Sequence, residues 1–365
     1  MALPPVIAYF ITPHGFGHAS RAAAVMAATS NLITGIRFEL FTTCPQWIFE
    51  ESLETQFGYH PVPTDIGLVQ TSPLSEDLPA TCRQLNRMLP FDKSVVKGLA
   101  SEILKLNCRL VICDIAPLGI TVARAAGVPS VLVENFTWDW IYSGYLEAEP
   151  GLKPHIDYLA GIFRQADHRI QTSPLCRSVD GSMKAAPISR RARSTRSQVR
   201  ARLGMNETDK MVLVSMGGVP DRFDFLDTLP GRVDPLLVIP GANGRHFSHP
   251  KVILLPTHSN FYHPDLIGAA DALVAKAGYS TVAEAYQAGL PFAYVRRPQS
   301  PESDALEEFI VRHLPSMRIS PETYAAGTWI AAFDGLFHLP GSKMQKPNGA
   351  DQAAGIIGSI LSRKN

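Results

Sequence analysis

Ala272-Leu273-Val274-Ala275-Lys276-Ala277-Gly278-Tyr279-Ser280-Thr281-Val282-Ala283-Glu284-Ala285 is the stretch on which the reading of this 365-residue chain turns. Its opening apolar run, 272–275, reads as a short buried strand. The run stops at a glycine, and a helix follows with Ser280 and Thr281 at its cap and Glu284 one turn in. A strand that hands a glycine turn to a helix start leaves backbone N–H groups free. It also puts the positive end of the helix dipole beside them, which makes an anion site. Glu284, on the first exposed turn, is placed to accept hydrogen bonds from a pair of sugar hydroxyls. A purely structural account fits the same residues: Ser280 or Thr281 caps the helix and Glu284 completes a capping box.

Two more units of this kind lie outside the stretch. A β-branched and aromatic run at 6–12 leads into Pro13-His14-Gly15-Phe16-Gly17-His18, with an alanine-rich helix expected from Ala19-Ser20-Arg21. A strand at 211–215 ends in Met216-Gly217-Gly218. Between and after these, strands are expected at 36–42, 59–63, 109–113, 130–134, 236–240, 252–255 and 292–295. Helices are expected at 45–54, 84–106 with a break near Pro90, 118–126, 197–203, 264–270, 302–313, 321–337 and 349–362. Alternating β and α elements with short connections predict an α/β protein with doubly wound parallel sheets. The length favours two domains: 1–180, then a connector at 181–206, then 207–365, with the last helix a candidate to pack back on the first domain. No repeat at a 20–50 residue period is present.

Composition narrows the function classes. The chain is 45% hydrophobic and 18% charged with a formal net charge of +1, which suits a globular protein and gives no reason to expect a nucleic-acid partner. Five cysteines, Cys44, Cys82, Cys108, Cys113 and Cys176, include no C-x-x-C and read as reduced core residues of a cytoplasmic protein. No signal-peptide pattern and no apolar run of 18 residues occurs. The connector carries Arg190, Arg191, Arg193, Arg196, Arg200 and Arg202 with no acidic residue. It reads as an exposed, solvated linker; a charge facing a diphosphate or a peripheral membrane surface is the alternative.

Ligands of doubly wound sheets bind at the carboxyl ends of the strands, where His14, His18, Asp114 and Asn135 are expected. His14 and His18 are four apart, but glycines separate them and no glutamate makes an H-E-x-x-H motif, so no metal site is expected. A neutral imidazole beside a carboxylate serves better as a general base, with Asp114 to orient it. Either histidine could instead only line the helix start. No D-x-D triplet holds a divalent metal on a diphosphate, and no P-loop or G-x-G-x-x-G fingerprint occurs, so no cofactor is expected. Asn135-Phe136-Thr137-Trp138-Asp139-Trp140 is either a core cluster or an aromatic wall for an acceptor.

With these residues in hand the chain resembles the GT-B glycosyltransferases, two Rossmann-like domains facing each other across a cleft. Within that fold it is most similar to the glycosyltransferase-like N-terminal region of plant arabinokinases and its stand-alone bacterial relatives. The resemblance rests on His14 to Arg21, Asn135 to Tyr142, Lys276 to Glu284, Phe292 to Arg297 and Asn348-Gly349-Ala350. Nothing resembles a sugar kinase's ATP-binding glycine loop. The resemblance implies an inverting, metal-independent transferase with a nucleotide-sugar donor, UDP-linked, and a small-molecule, lipid or glycan acceptor. By its pattern His18 is the base and Asp114 its partner. Gly15, Gly17, Gly217, Gly218, Lys276, Gly278, Ser280, Thr281, Glu284, Arg297 and Glu302 face the donor, and His14, Asn135 and Trp138 the acceptor. Retaining members carry a glutamate eight positions before Glu284; here that position is Lys276, which points to inversion. A nucleotide-sugar epimerase on the same fold and a non-catalytic nucleotide-sugar-binding or regulatory module are the other readings.

Overall fold

The computed structural model describes residues 4–229, 235–339 and 346–363. The first half is built on strands β1 (Val6–Ile11), β2 (Arg37–Thr42) and β3 (Phe57–Pro61). A small antiparallel hairpin, β4 (Gln70–Ser72) and β5 (Ser75–Glu76), follows, then β6 (Cys108–Asp114), β7 (Ser130–Glu134), β8 (His168–Thr172) and β9 (Met183–Ala185). Seven of these form one parallel sheet in the order β3-β2-β1-β6-β7-β8-β9. The second half holds β10 (Met211–Ser215), β11 (Leu236–Pro240), β12 (Val252–Leu255), β13 (Ala272–Lys276), β14 (Phe292–Val295) and β15 (Ser316–Ile319). They form a parallel sheet in the order β12-β11-β10-β13-β14-β15.

Central strands such as Met211-Val212-Leu213-Val214-Ser215 are buried along their whole length because helices cover both faces of each sheet. Each sheet has a switch point, where the chain leaves neighbouring strands in opposite directions. In the first it lies between β1 and β6, in the second between β10 and β13. A crevice opens there at the carboxyl ends of the strands. All three glycine turns and Asp114 therefore sit at switch points.

The helix expected from Ala19 begins at Gly15 and runs to Leu32, so Gly15-Phe16-Gly17-His18 is its first turn and not a loop. Its Ala19, Ala22, Ala23 and Met26 share a core with Ala350, Ala353 and Ile357 of the closing helix Gly349–Ser362. The last helix thus packs in the first half. Its entry runs beside the outgoing connector: Asn348 Nδ2 donates to Ser189 O (2.9 Å) and the Gly349 amide to Pro187 O (3.0 Å). A Cβ at Gly349 would lie 1.9 Å from Ala186 O, so only glycine fits.

Other expectations need correction. The segment 45–54 is helical only over Trp47–Glu50. The segment 321–337 is broken at Gly327, whose φ of +72° ends the helix Pro321–Ala326. Strands β8, β9 and β15 are short, polar on one side and were not expected.

The largest correction concerns 181–206, which is no solvated linker. Arg200 is fully buried and donates to the carbonyls of Ala269 (3.1 Å), Glu207 (3.0 Å) and Asp209 (2.7 Å) and to Asp271 Oδ2 (2.7 Å). Arg196 takes the Ala269 and Ala270 carbonyls at the end of helix His263–Ala269, where the dipole favours a cation. Arg193 holds the Glu51 and Ser52 carbonyls of the first half at 2.6 and 2.7 Å. Burial works against the Asp271 carboxylate, but the Met211 amide and the Arg196 and Arg200 guanidiniums hold it below the ordinary range. The Arg196 and Arg200 charges are spent inside the protein, Arg190 lines the cleft, and Arg191, Arg193 and Arg202 stay exposed.

Candidate functional site

His18 lies on the first turn of helix Gly15–Leu32, and Asp114 is the last residue of β6, adjacent to β1. His18 Nδ1 stands 2.9 Å from Asp114 Oδ1. Arg21, one turn on along the same helix face, is 1% exposed and clasps the carboxylate with both arms: Nε to Oδ2 at 2.8 Å and Nη2 to Oδ1 at 2.7 Å. Its third nitrogen, Nη1, donates to Asn135 Oδ1 at 2.6 Å.

Burial would raise the Asp114 carboxyl, but Arg21 and His18 outweigh it and hold it below the usual range. An ionised carboxylate only accepts, so the 2.9 Å contact with Asp114 assigns the proton of His18 to Nδ1, against the longer 3.2 Å approach of Arg21 Nη2 to the same nitrogen, and leaves the lone pair on Nε2. Burial, opposed by Asp114 and aided by Arg21, holds the imidazole below its ordinary pKa, so it is neutral at pH 7. A neutral ring with a free Nε2 is the form a general base requires.

His14 has the opposite tautomer. Its Nδ1 accepts from the Leu68 amide (3.3 Å), so Nε2 carries the proton. Burial first, then the neighbouring His18, Arg297 and Lys276, push it well below the usual range. Trp138 meets the His14 ring edge-on at 5.2 Å, with Phe136 and Tyr142 packed behind, and is 1% exposed. It is therefore a wall behind the two histidines and not an open stacking platform.

The second half supplies glycines and cations. Gly218 sits so close to Phe16 that a Cβ would fall 2.6 Å from its ring, and Gly217 takes a φ of +83° beside Lys276. Burial pushes the Lys276 ammonium down to about 7, and its Nζ has no hydrogen bond or ion pair among the described residues. The helix after β13 spans Tyr279–Ala288 with Gly278 as its N-cap and no side-chain cap, so its first amides stay free.

The capping-box account fails here. Ser280 Oγ instead donates 2.7 Å across the cleft to Gly17 O. Glu284 is 5% exposed, not on an exposed turn, and it meets His263 Nδ1 (3.1 Å) and Arg190 Nη2 (3.4 Å). Despite burial, His263 and Arg190 hold its carboxyl below the ordinary range. Arg297 follows β14 and pairs with Glu302, while Asp304 lies outside, exposed and paired with Arg296.

One cleft is lined by all the expected site residues except two. Asp114 and Asn135 are fully buried one layer behind it, so Asn135 supports Arg21 and cannot touch an acceptor directly. Sequence reasoning missed Arg21, whose i+3 spacing from His18 is a usable signal once the helix is known to start at Gly15. It also missed Tyr279, whose ring covers the Arg21 guanidinium at 4.7 Å. The Tyr279 hydroxyl reaches Thr172 Oγ1 (2.6 Å) and accepts from the Ile188 amide (3.0 Å), tying the second half's helix to the first. Among the described residues no group of three His, Cys, Asp or Glu is placed to hold a metal, and no helix is long and apolar enough to cross a membrane.

Two doubly wound parallel sheets whose switch points face each other define the GT-B glycosyltransferase fold. Among solved structures the chain superposes on CalG4, the calicheamicin glycosyltransferase, with a TM-score of 0.63 at 14% identity over 99% of either chain. It superposes on UGT89C1 of Arabidopsis thaliana, solved with UDP, with a TM-score of 0.63 at 10% identity over 98% of this chain and 99% of that one. Identities this low carry the fold alone. By sequence, no family model matches. The chain is similar to L-arabinokinase of Arabidopsis thaliana, 27% identical over 358 residues, which is 96% of this chain and 34% of that protein. The chain therefore spans about a third of the length of that relative.

Proposed function

We propose that the protein is a glycosyltransferase that moves a sugar from a nucleotide-sugar donor, a UDP-sugar, to a hydroxyl acceptor with inversion and without a metal. The observation that carries this is the His18 ring, neutral, with Nδ1 bound to Asp114 and Nε2 free, facing an uncapped helix N-terminus across one cleft. Nε2 takes the proton of the acceptor hydroxyl as its oxygen attacks the anomeric carbon from the face opposite the diphosphate. Asp114 keeps the tautomer and offsets the charge on the imidazolium that forms. The leaving diphosphate falls to the Gly217 and Gly218 turn, the free amides at Gly278–Ser280 and the Lys276 ammonium, a set of donors that supplies the charge a metal would otherwise bring. Lys276 in place of a second carboxylate supports inversion. Glu284 would exchange its contacts with His263 and Arg190 for the ribose hydroxyls. In this scheme 1–180 is the acceptor domain, 207–365 the donor domain and 181–206 the seam between them.

His18→Ala is expected to abolish transfer while UDP-sugar binding, read by calorimetry, stays within about threefold of wild type. Equal loss of both sinks the base assignment. A second reading, a non-catalytic nucleotide-sugar sensor, is favoured by the similarity to a third of a protein named as a kinase. Binding of UDP-sugars with no glycosylation of any acceptor, and no conversion of the donor when it is incubated alone, selects that reading.

A further inference from the structure

Arg21 touches both members of the His18–Asp114 pair from inside the protein. A guanidinium donates only in its own plane, and here all three nitrogens have acceptors: Nε and Nη2 span the two oxygens of Asp114 at 2.8 and 2.7 Å, and Nη1 reaches Asn135 Oδ1 at 2.6 Å. A carboxylate gripped by a planar fork cannot turn, so Oδ1 keeps a lone pair aimed at His18 Nδ1. With the rim used up, only the two flat faces of the guanidinium remain. The ring of Tyr279 covers one of them, 4.7 Å from Cζ.

Tyr279 belongs to the other half. It is the first residue of the helix Tyr279–Ala288, so its backbone amide is among the free donors at the anion site, while its buried side chain reaches back to the first half. There its hydroxyl meets Thr172 Oγ1 at the end of β8 (2.6 Å) and accepts from the Ile188 amide of the connector (3.0 Å). An aromatic face over a buried cation stabilises it and keeps water from competing for the same carboxylate.

We propose that Arg21 and Tyr279 are positioning residues for the base: Arg21 fixes the Asp114 carboxylate, and Tyr279, brought by the second half, holds Arg21 dry and flat against it. The proposal rests on the glycosyltransferase reading above. The base is then complete only when the halves are closed. As they part, Arg21 loses its cover, its grip on Asp114 loosens and His18 is no longer held to one tautomer. The residue whose amide faces the leaving diphosphate is thus also the one that sets the base for attack.

The titratable and charged groups that face His18 are Asp114 from β6, Arg21 from its own helix and His14 from the turn before it, with Phe136 and Trp138 beside the ring. Burial and Arg21 hold the imidazole down and Asp114 holds it up, so wetting Arg21 moves its pKa up toward 6.5. Nitrogen NMR of the full chain, labelled on histidine with heavy nitrogen and recorded with UDP, reads both the tautomer and the pKa, and the His18→Ala spectrum assigns the signals. In the wild type the Nδ1–H form should exceed the other by at least about tenfold. Tyr279→Leu should bring that ratio within about threefold of unity and raise the pKa, whereas Tyr279→Phe, which keeps the ring and loses both hydroxyl contacts, should match the wild type. Arg21→Lys, which cannot span both oxygens, should act like Tyr279→Leu, and either of the two serves if the other fails to fold. UDP affinity should stay within about threefold in every variant, because residue 279 meets the anion through its backbone. A His18 that keeps its tautomer and pKa in folded Tyr279→Leu or Arg21→Lys, or that changes alike in the leucine and phenylalanine variants, overturns the proposal while the transferase reading stands. No binding of UDP or any UDP-sugar to the wild-type protein overturns both.

Discussion

His18 Nδ1 lies 2.9 Å from Asp114 Oδ1, and the same carboxylate is clasped by Arg21. That one contact decides which ring nitrogen is free. An asparagine at 114 can present its amide N–H to the ring, which moves the ring proton to Nε2 and removes the lone pair from the cleft. Asp114→Asn is expected to lower kcat by roughly 10²–10⁴. Because Asp114 is one layer behind the cleft wall, UDP affinity measured on the same variant should change little.

The buried histidines set the acid limb. His14 and His18 are both held below 6.5 in the fold, and the unfolded chain returns them to that value. Below about pH 6.5 the unfolded chain therefore binds more protons than the native one, and stability falls as pH falls. Urea titrations at successive pH values should show that loss beginning near 6.5. The plateau of kcat/KM should extend below 6.5 before it drops, since neutral His18 persists there.

Lys276 gives the donor site its own pH dependence. With its ammonium pushed down to about 7, the empty cleft holds a mixture of charged and neutral lysine at neutral pH. A bound diphosphate favours the charged form, so binding takes up a proton and UDP affinity should fall as pH rises above 7. Calorimetry in buffers of different ionisation heat reads the proton directly. Lys276→Met should bind more weakly and without this dependence.

Two glycines separate contact from closure. A methyl at Gly218 meets the Phe16 ring at 2.6 Å and its backbone at 2.9 Å, which cannot give, whereas one at Gly17 meets only Ser280 Oγ at 3.2 Å. Gly218→Ala is expected to cost about 1–3 kcal/mol of stability or the equivalent in closure, with transfer down at least about tenfold. Gly17→Ala should stay within about threefold of wild type in steady-state assays.

Arg200 is a stability residue. Replacing it with alanine leaves the Glu207 and Asp209 carbonyls unpaired and Asp271 with Arg196 alone, and stranding buried acceptors in this way costs roughly 1–3 kcal/mol. Chemical denaturation followed by intrinsic fluorescence measures it, and UDP-binding stoichiometry of the folded fraction should stay at one.

Much of the fold was readable because buried parallel strands are written as unbroken apolar runs. Met211–Ser215, Leu236–Pro240 and Phe292–Val295 have the bounds their composition implies. What stayed hidden depends on partners far along the chain. The arginines of 181–206 look like a solvent face, yet Arg190 pairs with Glu51 and Glu284, Arg200 with Asp271, and Arg193 donates to the Glu51 and Ser52 carbonyls. Glu284 lost its apparent capping role for the same reason, because His263 and Arg190 reach it from other elements. Arg21 was hidden by its own helix, since glycines at 15 and 17 disguise the first turn that sets its spacing from His18.

The closing helix packs beside the helix that follows β1, so the chain crosses between the halves twice, out near Ser189 and back at Asn348, in two segments bonded side by side. A single tether would let the second half swivel in any direction. Two paired tethers allow little besides bending about the line they share, as a door turns on its post. Both described ends of the chain leave from the first half. A cargo joined to either end would therefore ride on the side that carries His18, and the side that carries Lys276 would remain the moving leaf.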